Sequence, residues 1–248
     1  MKRMCIFLFT ILVGAGVISA HADEPDWSNY AKLLSTYVHS ATKNRVPLAA
    51  VDYQGIQRDT LFAEVVKELE AFNTNSLQNQ QQRLAFYINA YNIYAIKMVV
   101  DNLPLKSIKD VGNFFSPVWK KDIGRINGKI VSLDMIEHDI LRKMGEPRIH
   151  MAIVCASVSC PDLRDEPFTA ERLSEQLDDQ AVRFLNNSAK GVLIKANKLY
   201  VSKIFDWFEE DFESYGGVKN FILNYRKDLQ PTVQVKSYLN YDWQLNTK

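Results

Sequence analysis

Residues 80–100 read Q-Q-Q-R-L-A-F-Y-I-N-A-Y-N-I-Y-A-I-K-M-V-V. Plotted at a helical repeat, this stretch is apolar on nearly every side. A helix without a solvent face must be enclosed by the rest of the chain, so the other elements are expected to gather around it. Asp101-Asn102-Leu103-Pro104 supplies its stop. Three polar residues, Arg83, Asn89 and Asn92, interrupt the apolar surface. Asn89 and Asn92 lie three apart and share a face. A buried amide must be hydrogen-bonded. Either these two clamp neighbouring backbone, or they line a polar pocket together with Arg83.

The segments around this helix alternate between short helical and short extended patterns. Residues 27–40 carry a helical stripe at Tyr30, Leu33, Leu34, Tyr37 and Val38. Val51-Asp52-Tyr53 reads as a short strand, with Gly55 as a turn. Residues 58–72 read as a helix, and 114–119 as an aromatic loop. Residues 124–131 read as a hairpin turning at Asn127-Gly128. Ser132 caps a helix expected to run to about residue 143. Residues 169–186 form an amphipathic helix, 191–194 and 199–204 two strands, and 207–215 and 218–225 further helices. This pattern predicts an α+β fold: one domain, with helices packed around a small, mainly antiparallel sheet.

The formal charge of +1 over 248 residues, 47% of them hydrophobic, gives no basic surface and no cluster of Lys and Arg with interleaved aromatics. Nucleic acid is therefore not an expected partner. Met1-Lys2-Arg3, an apolar core from Ile6 to Ile18 and Ser19-Ala20-His21-Ala22 have the layout of a signal peptide. Residues 1–22 are read as that signal and 23–248 as the mature domain, periplasmic or secreted. No transmembrane segment is expected after signal removal. Cys5 leaves with the signal, so the mature chain holds two cysteines in an oxidising space.

Those two lie in P-R-I-H-M-A-I-V-C-A-S-V-S-C-P-D-L, residues 147–163. The apolar run before Cys155 reads as a buried strand over 149–154 that ends in a Ser- and Pro-containing loop carrying Cys160. A thiol at such a junction has a rigid support beneath it and solvent access beside it. Along a regular strand, His150 and Cys155 point to opposite faces. That leaves His138 as the better imidazole partner for Cys155. Glu137-His138 sits in the helix after Ser132, where Glu137 projects near the apolar side and His138 is a candidate general base or metal ligand. In residues 202–212, acidic and aromatic residues alternate. There Asp206 is expected to cap a helix, with Asp211 as a possible third carboxylate.

Four of these strings together resemble the domain of unknown function 547 family: L-A-F-Y-I-N-A-Y-N at 84–92, S-L-D-M-I-E-H-D-I-L-R at 132–142, residues 147–163 and residues 202–212. The resemblance implies a secreted bacterial member and brings Asn89, Asn92, Glu137, His138 and Cys155 forward as motif positions. Some relatives carry Ser where this chain has Cys160, which argues against an obligatory disulfide or metal pair. The family name implies no reaction.

Three functions follow from the residue types. In the first, the chain is a thiol-dependent hydrolase or transferase acting on amide-like bonds. Cys155 is then the nucleophile and His138 and Glu137 assist, while Asn89, Asn92, Arg83 and His150 bind a small-molecule or peptide-like ligand. In the second, it is a non-catalytic binding or accessory module whose rim is shaped by a Cys155–Cys160 disulfide. In the third, His138 and the cysteines bind a metal. The first needs no cofactor.

Overall fold

The computed structural model describes residues 24–113 and 116–247. The signal peptide expected at 1–22, and Phe114 and Phe115 of the expected aromatic loop, lie outside the described residues. Helix α1 (Ser28–Tyr37) runs directly into strand β1 (Val38–Lys43), which pairs antiparallel with β2 (Val46–Val51). Asn44 and Arg45 turn this hairpin, both at positive φ, the backbone a tight two-residue hairpin requires. After β2 the expected strand and turn are replaced by α2 (Tyr53–Arg58), capped by the Asp52 side chain. Gly55 is inside that helix for steric reasons: a Cβ there would lie 2.6 Å from the Tyr37 ring.

Helices α3 (Thr60–Ala71) and α4 (Gln80–Val100) follow. The second has the bounds the sequence pattern predicts, and its residues from Ile88 to Ile96 are all buried. Strands β3 (Gly124–Ile126) and β4 (Lys129–Val131) form the Asn127-Gly128 hairpin, with both turn residues at positive φ. Beyond a long irregular stretch come α5 (Leu173–Asn186), β5 (Val192–Lys195), β6 (Lys198–Val201), α6 (Ile204–Trp207), α7 (Val218–Tyr225) and β7 (Gln234–Tyr238). The fold is α+β. The strands form two separate hairpins and one three-stranded sheet, in which β6 pairs antiparallel with β5 and parallel with β7.

Among the described residues two large apolar cores result, with a small third cluster of Val46, Leu48, Ala50 and Val158. The larger surrounds α4 and takes in α1, α3 and the hairpins; the smaller is built from α5, α7 and the three-stranded sheet. The segment 149–154 runs between them: Ile149 and Ala152 belong to the first core and Met151 to the second. It is not the expected strand. Pro147–Met151 is a 3₁₀ turn whose first free N–H, at Arg148, is accepted by the Glu146 side chain. A short apolar run buried on all sides looks the same in sequence whether it is extended or coiled.

Without a neighbouring strand, the backbone of 152–154 needs other partners. Asn92 provides them: its Nδ2 donates to Ala152 O at 3.0 Å, and its Oδ1 accepts from Val154 N–H at 2.8 Å. Asn89 does the same for Phe168, donating to its carbonyl at 2.8 Å and accepting from its N–H at 2.9 Å. Asn92→Leu leaves both backbone groups unpaired in the core, and a loss of about 3 kcal/mol is expected in a urea unfolding titration. The exposed Arg83, changed to Ala, is expected to stay within about 0.5 kcal/mol of the parent protein. Equal losses for the two variants would contradict the clamp.

Candidate functional site

Past the Asn92 clamp the chain turns sharply. Cys155 is followed by Ala156, a buried non-glycine residue at φ 60°. Left-handed backbone at a residue with a Cβ costs about 1–2 kcal/mol and persists only where its surroundings hold it. Here the C-terminal segment holds it. Asn246 N–H donates to Ala156 O, Val158 N–H to Gln244 O, and Ser157 bridges Leu245. That same segment carries Tyr241 and Trp243 to the Cys155 loop.

The Cys155 thiol is half-buried, and Cys160 is buried. Both are free, with the sulfurs 2.7 Å apart, well beyond the roughly 2.05 Å of a disulfide bond. Cys155 N–H donates to the Cys160 sulfur at 2.8 Å. Ser157 Oγ and Tyr241 Oη each lie 3.3 Å from Cys155 Sγ. Burial pushes the Cys155 thiol up. Hydrogen bonds from Cys160, Ser157 and Tyr241 to the thiolate outweigh it and bring the pKa down to about 7. Cys160 moves the opposite way, because burial and the neighbouring Cys155 charge both oppose its ionisation. The two thiols are thus driven in opposite directions, Cys155 toward ionisation and Cys160 away from it.

Beside the thiol lies Glu137. Burial, then the Cys155 charge, raises its carboxyl to about 7, and its hydrogen bond from Tyr91 Oη at 3.3 Å recovers only part of that rise. Glu137 reaches this position from a π-helical segment, Met135–Leu141, in place of the regular helix expected from Ser132. Arg142 N–H bonds Glu137 O, one residue further back than in an α-helix. The widened turn lets the consecutive residues Glu137 and His138 border the same cleft. Single π turns of this kind recur at functional sites.

A second polar group forms the opposite wall. His150 Nε2 lies 2.6 Å from Asp211 Oδ2; the carboxylate can only accept, so Nε2 carries the proton. Burial lowers the His150 pKa further than its Asp211 partner restores it. The ring stacks on Phe208 at 4.2 Å. Burial would push the Asp211 carboxyl up, but hydrogen bonds from His150 and a two-pronged Arg142 contact hold it below the usual carboxylate range. Arg142 also donates to His138 Nδ1 at 2.9 Å.

These groups enclose a cleft of about 140 Å³. Cys155, Cys160, Glu137, His138 and His150 all border it, so the opposite-face argument for His150 and Cys155 ends with the strand it assumed. Neither imidazole hydrogen-bonds the thiol, and His138 is taken up by Arg142. Three of the binding candidates stand away from this cleft. Asn89 and Asn92 serve backbone and do not border the cleft, and Arg83 lies exposed with its guanidinium on Leu77 O. Asp206 sits within α6 and pairs with Lys203, while Ser202 Oγ accepts the Ile204 N–H; Asp211 is the carboxylate that joins the site, through His150. Among the described residues no three His, Cys, Asp or Glu side chains group as metal ligands. Sequence reasoning missed Tyr91, Arg142 and the whole C-terminal contribution of Tyr241 and Trp243.

An irregular, clamped Cys loop between two cores, flanked by a π-helical carboxylate, defines this molecule as a thiol-bearing cleft protein of α+β fold. The family model described as "Protein of unknown function, DUF547" matches residues 74–185, and over those residues the chain is similar to that family. The match covers α4, the π segment, the Cys loop and most of α5. No curated protein and no solved structure matches the chain. Asp211 lies outside the matched residues yet orders His150 within them, and Asp211→Asn should separate the two. Because its folded-state pKa is depressed, Asp211 stabilises the fold above its unfolded value of about 4 and loses that effect as pH falls toward the folded value. The stability gap between parent and Asp211→Asn is expected to be widest near neutrality and to narrow below about pH 4. A gap unchanged by acid would contradict the network.

Proposed function

We propose that the protein is an exported, thiol-dependent hydrolase or transferase acting on amide-like bonds, with Cys155 as nucleophile. The observation that carries this reading is the contact of the Cys155 thiol with three donors, at a strained turn opening on the cleft, beside a carboxyl of matched acidity. A nucleophile and an acid that both titrate near pH 7 suit acyl transfer at neutral pH. The Cys155 sulfur attacks the carbonyl carbon, and the carbonyl electron pair moves to oxygen. The carbon–nitrogen bond then breaks, and the departing amine takes the Glu137 proton. Water or a second amine attacks the thioester, its proton goes to Glu137, and the thiolate leaves. His150, fixed by Asp211, presents Nδ1 as an acceptor that orients the incoming nucleophile.

Two free thiols favour this enzyme over a binding module stiffened by a disulfide. The basic start and apolar stretch before residue 23 support export. Among the described residues no helix is long and apolar enough to cross a membrane. With reductant present, p-nitrophenyl acetate should give a burst of p-nitrophenolate and one acetyl group on the Cys155 peptide by mass spectrometry. Glu137→Gln should keep the acetyl adduct and slow its turnover by roughly 10²–10⁴, the usual contribution of an acid–base group. No adduct, or the same adduct in Cys155→Ser, would overturn the assignment.

A further inference from the structure

The cleft mouth carries a feature that acyl transfer alone does not use. Trp207 is 44% exposed, unusual for a tryptophan, and stacks on Trp243 with ring centres 5.6 Å apart. Tyr241 lies 4.6 Å from Trp243 and 4.8 Å from Trp207, and Trp119 adds a further ring 6.2 Å from Trp243. Four rings drawn from three separate parts of the chain thus form a continuous aromatic wall beside the nucleophile. Large exposed apolar surface in one place marks a contact site.

Charge tells what that wall receives. Among the described residues bordering the cleft there are two carboxyl side chains, Asp134 and Glu137, and no Lys or Arg. Two cations stand close behind the lining and both are engaged: Arg142 has both prongs on Asp211, and Lys109 lies over Trp243. Asp134 is partly exposed, and its nearest partner, His138 Nε2, is 3.9 Å away, outside hydrogen-bond distance, so its oxygens are available. Aromatic faces attract ammonium groups, and a carboxylate nearby adds to that attraction. The chain already uses one of these rings so: Lys109 Nζ sits 4.5 Å over Trp243. An anionic group would meet the Asp134 carboxylate with no Lys or Arg among the described residues that border the cleft.

We propose that the cleft selects substrates whose bound portion carries a primary ammonium group, seated on the Trp207–Trp243 wall with Asp134 as counter-ion. This rests on the thiol-enzyme reading for the chemistry, but its binding test does not. In Cys155→Ser, where no acyl transfer occurs, N-acetylcadaverine is titrated by calorimetry against the analogues ending in an alcohol and in a carboxylate, and against N-acetylglucosamine. The ammonium compound should bind about tenfold tighter than the alcohol, as a cation–aromatic contact with a carboxylate nearby implies, and the carboxylate should bind weakest. Asp134→Asn and Trp243→Leu should each remove the preference for ammonium. Equal binding of alcohol and amine, tighter binding of the sugar, or no binding by any of the four would overturn the inference. An ammonium preference without Cys155 acetylation in the parent protein would uphold it and reject the thiol chemistry alone.

Discussion

The Asn92 carboxamide donates to the Ala152 carbonyl and accepts from the Val154 N–H, giving an irregular segment the two bonds that a neighbouring strand would have given. The Cys loop depends on that exchange. Segment 149–154 threads between two cores, where unpaired backbone costs about 1–3 kcal/mol per group, so it needs a polar partner on the buried face of α4. A hydrophobic residue at 92 would fill the same space and leave that requirement unmet. Asn89 repeats the arrangement at Phe168, and the two amides together fasten both ends of the loop region to one rigid helix. Cys155 begins where the clamp ends. Its position is therefore set by the central helix, and the C-terminal segment then fixes its direction.

The polar groups of the cleft are held by mutual contacts more than by packing. Arg142, at the end of the π segment, grips Asp211 with two nitrogens and His138 with a third. Asp211 in turn fixes His150 from the start of the segment that carries Cys155. The two walls of the cleft are thereby coupled through one guanidinium. Removing a single member of such a network leaves its partners desolvated and unpaired, which is costlier than the bond itself. The thiol is governed by the same economy of donors. Three groups that can give a hydrogen bond surround it, and the one nearby acid, Glu137, is raised into the same range, so a proton can pass between reacting atoms and protein near pH 7.

The elements most legible in the sequence were those with strong periodicity or a specific turn. Helix α4 declared itself by an unbroken apolar surface, and the Asn127-Gly128 hairpin by a pair suited to positive φ. Residues 149–154 did not, because burial on every side removes the alternation that distinguishes a strand from a coiled segment. The π segment was hidden for a related reason: S-L-D-M-I-E-H-D-I-L-R satisfies the α-helical stripe, and only the tertiary placement of Glu137 selects the wider turn. Cys155, Glu137 and His150 were found as residue types out of place in apolar surroundings. Tyr241 and Trp243 lie some 80 positions beyond the Cys loop, and β7, which leads to them, pairs in parallel with β6. Local pattern carries no information about such a return. The aromatic density of the last residues was the one available signal.

Cys160, Ser157 and Tyr241 stabilise the charge on Cys155 and so draw its ionisation down toward neutral pH. The ultraviolet absorbance of the thiolate, followed against pH in the reduced protein with Cys155→Ser as the reference, measures this directly. The difference signal should appear with a midpoint at about 7, and the Cys155→Ser protein should show thiolate only at higher pH, since burial still opposes ionisation of Cys160. A Cys155 midpoint at or above the free-thiol value of about 8.5 would contradict the account.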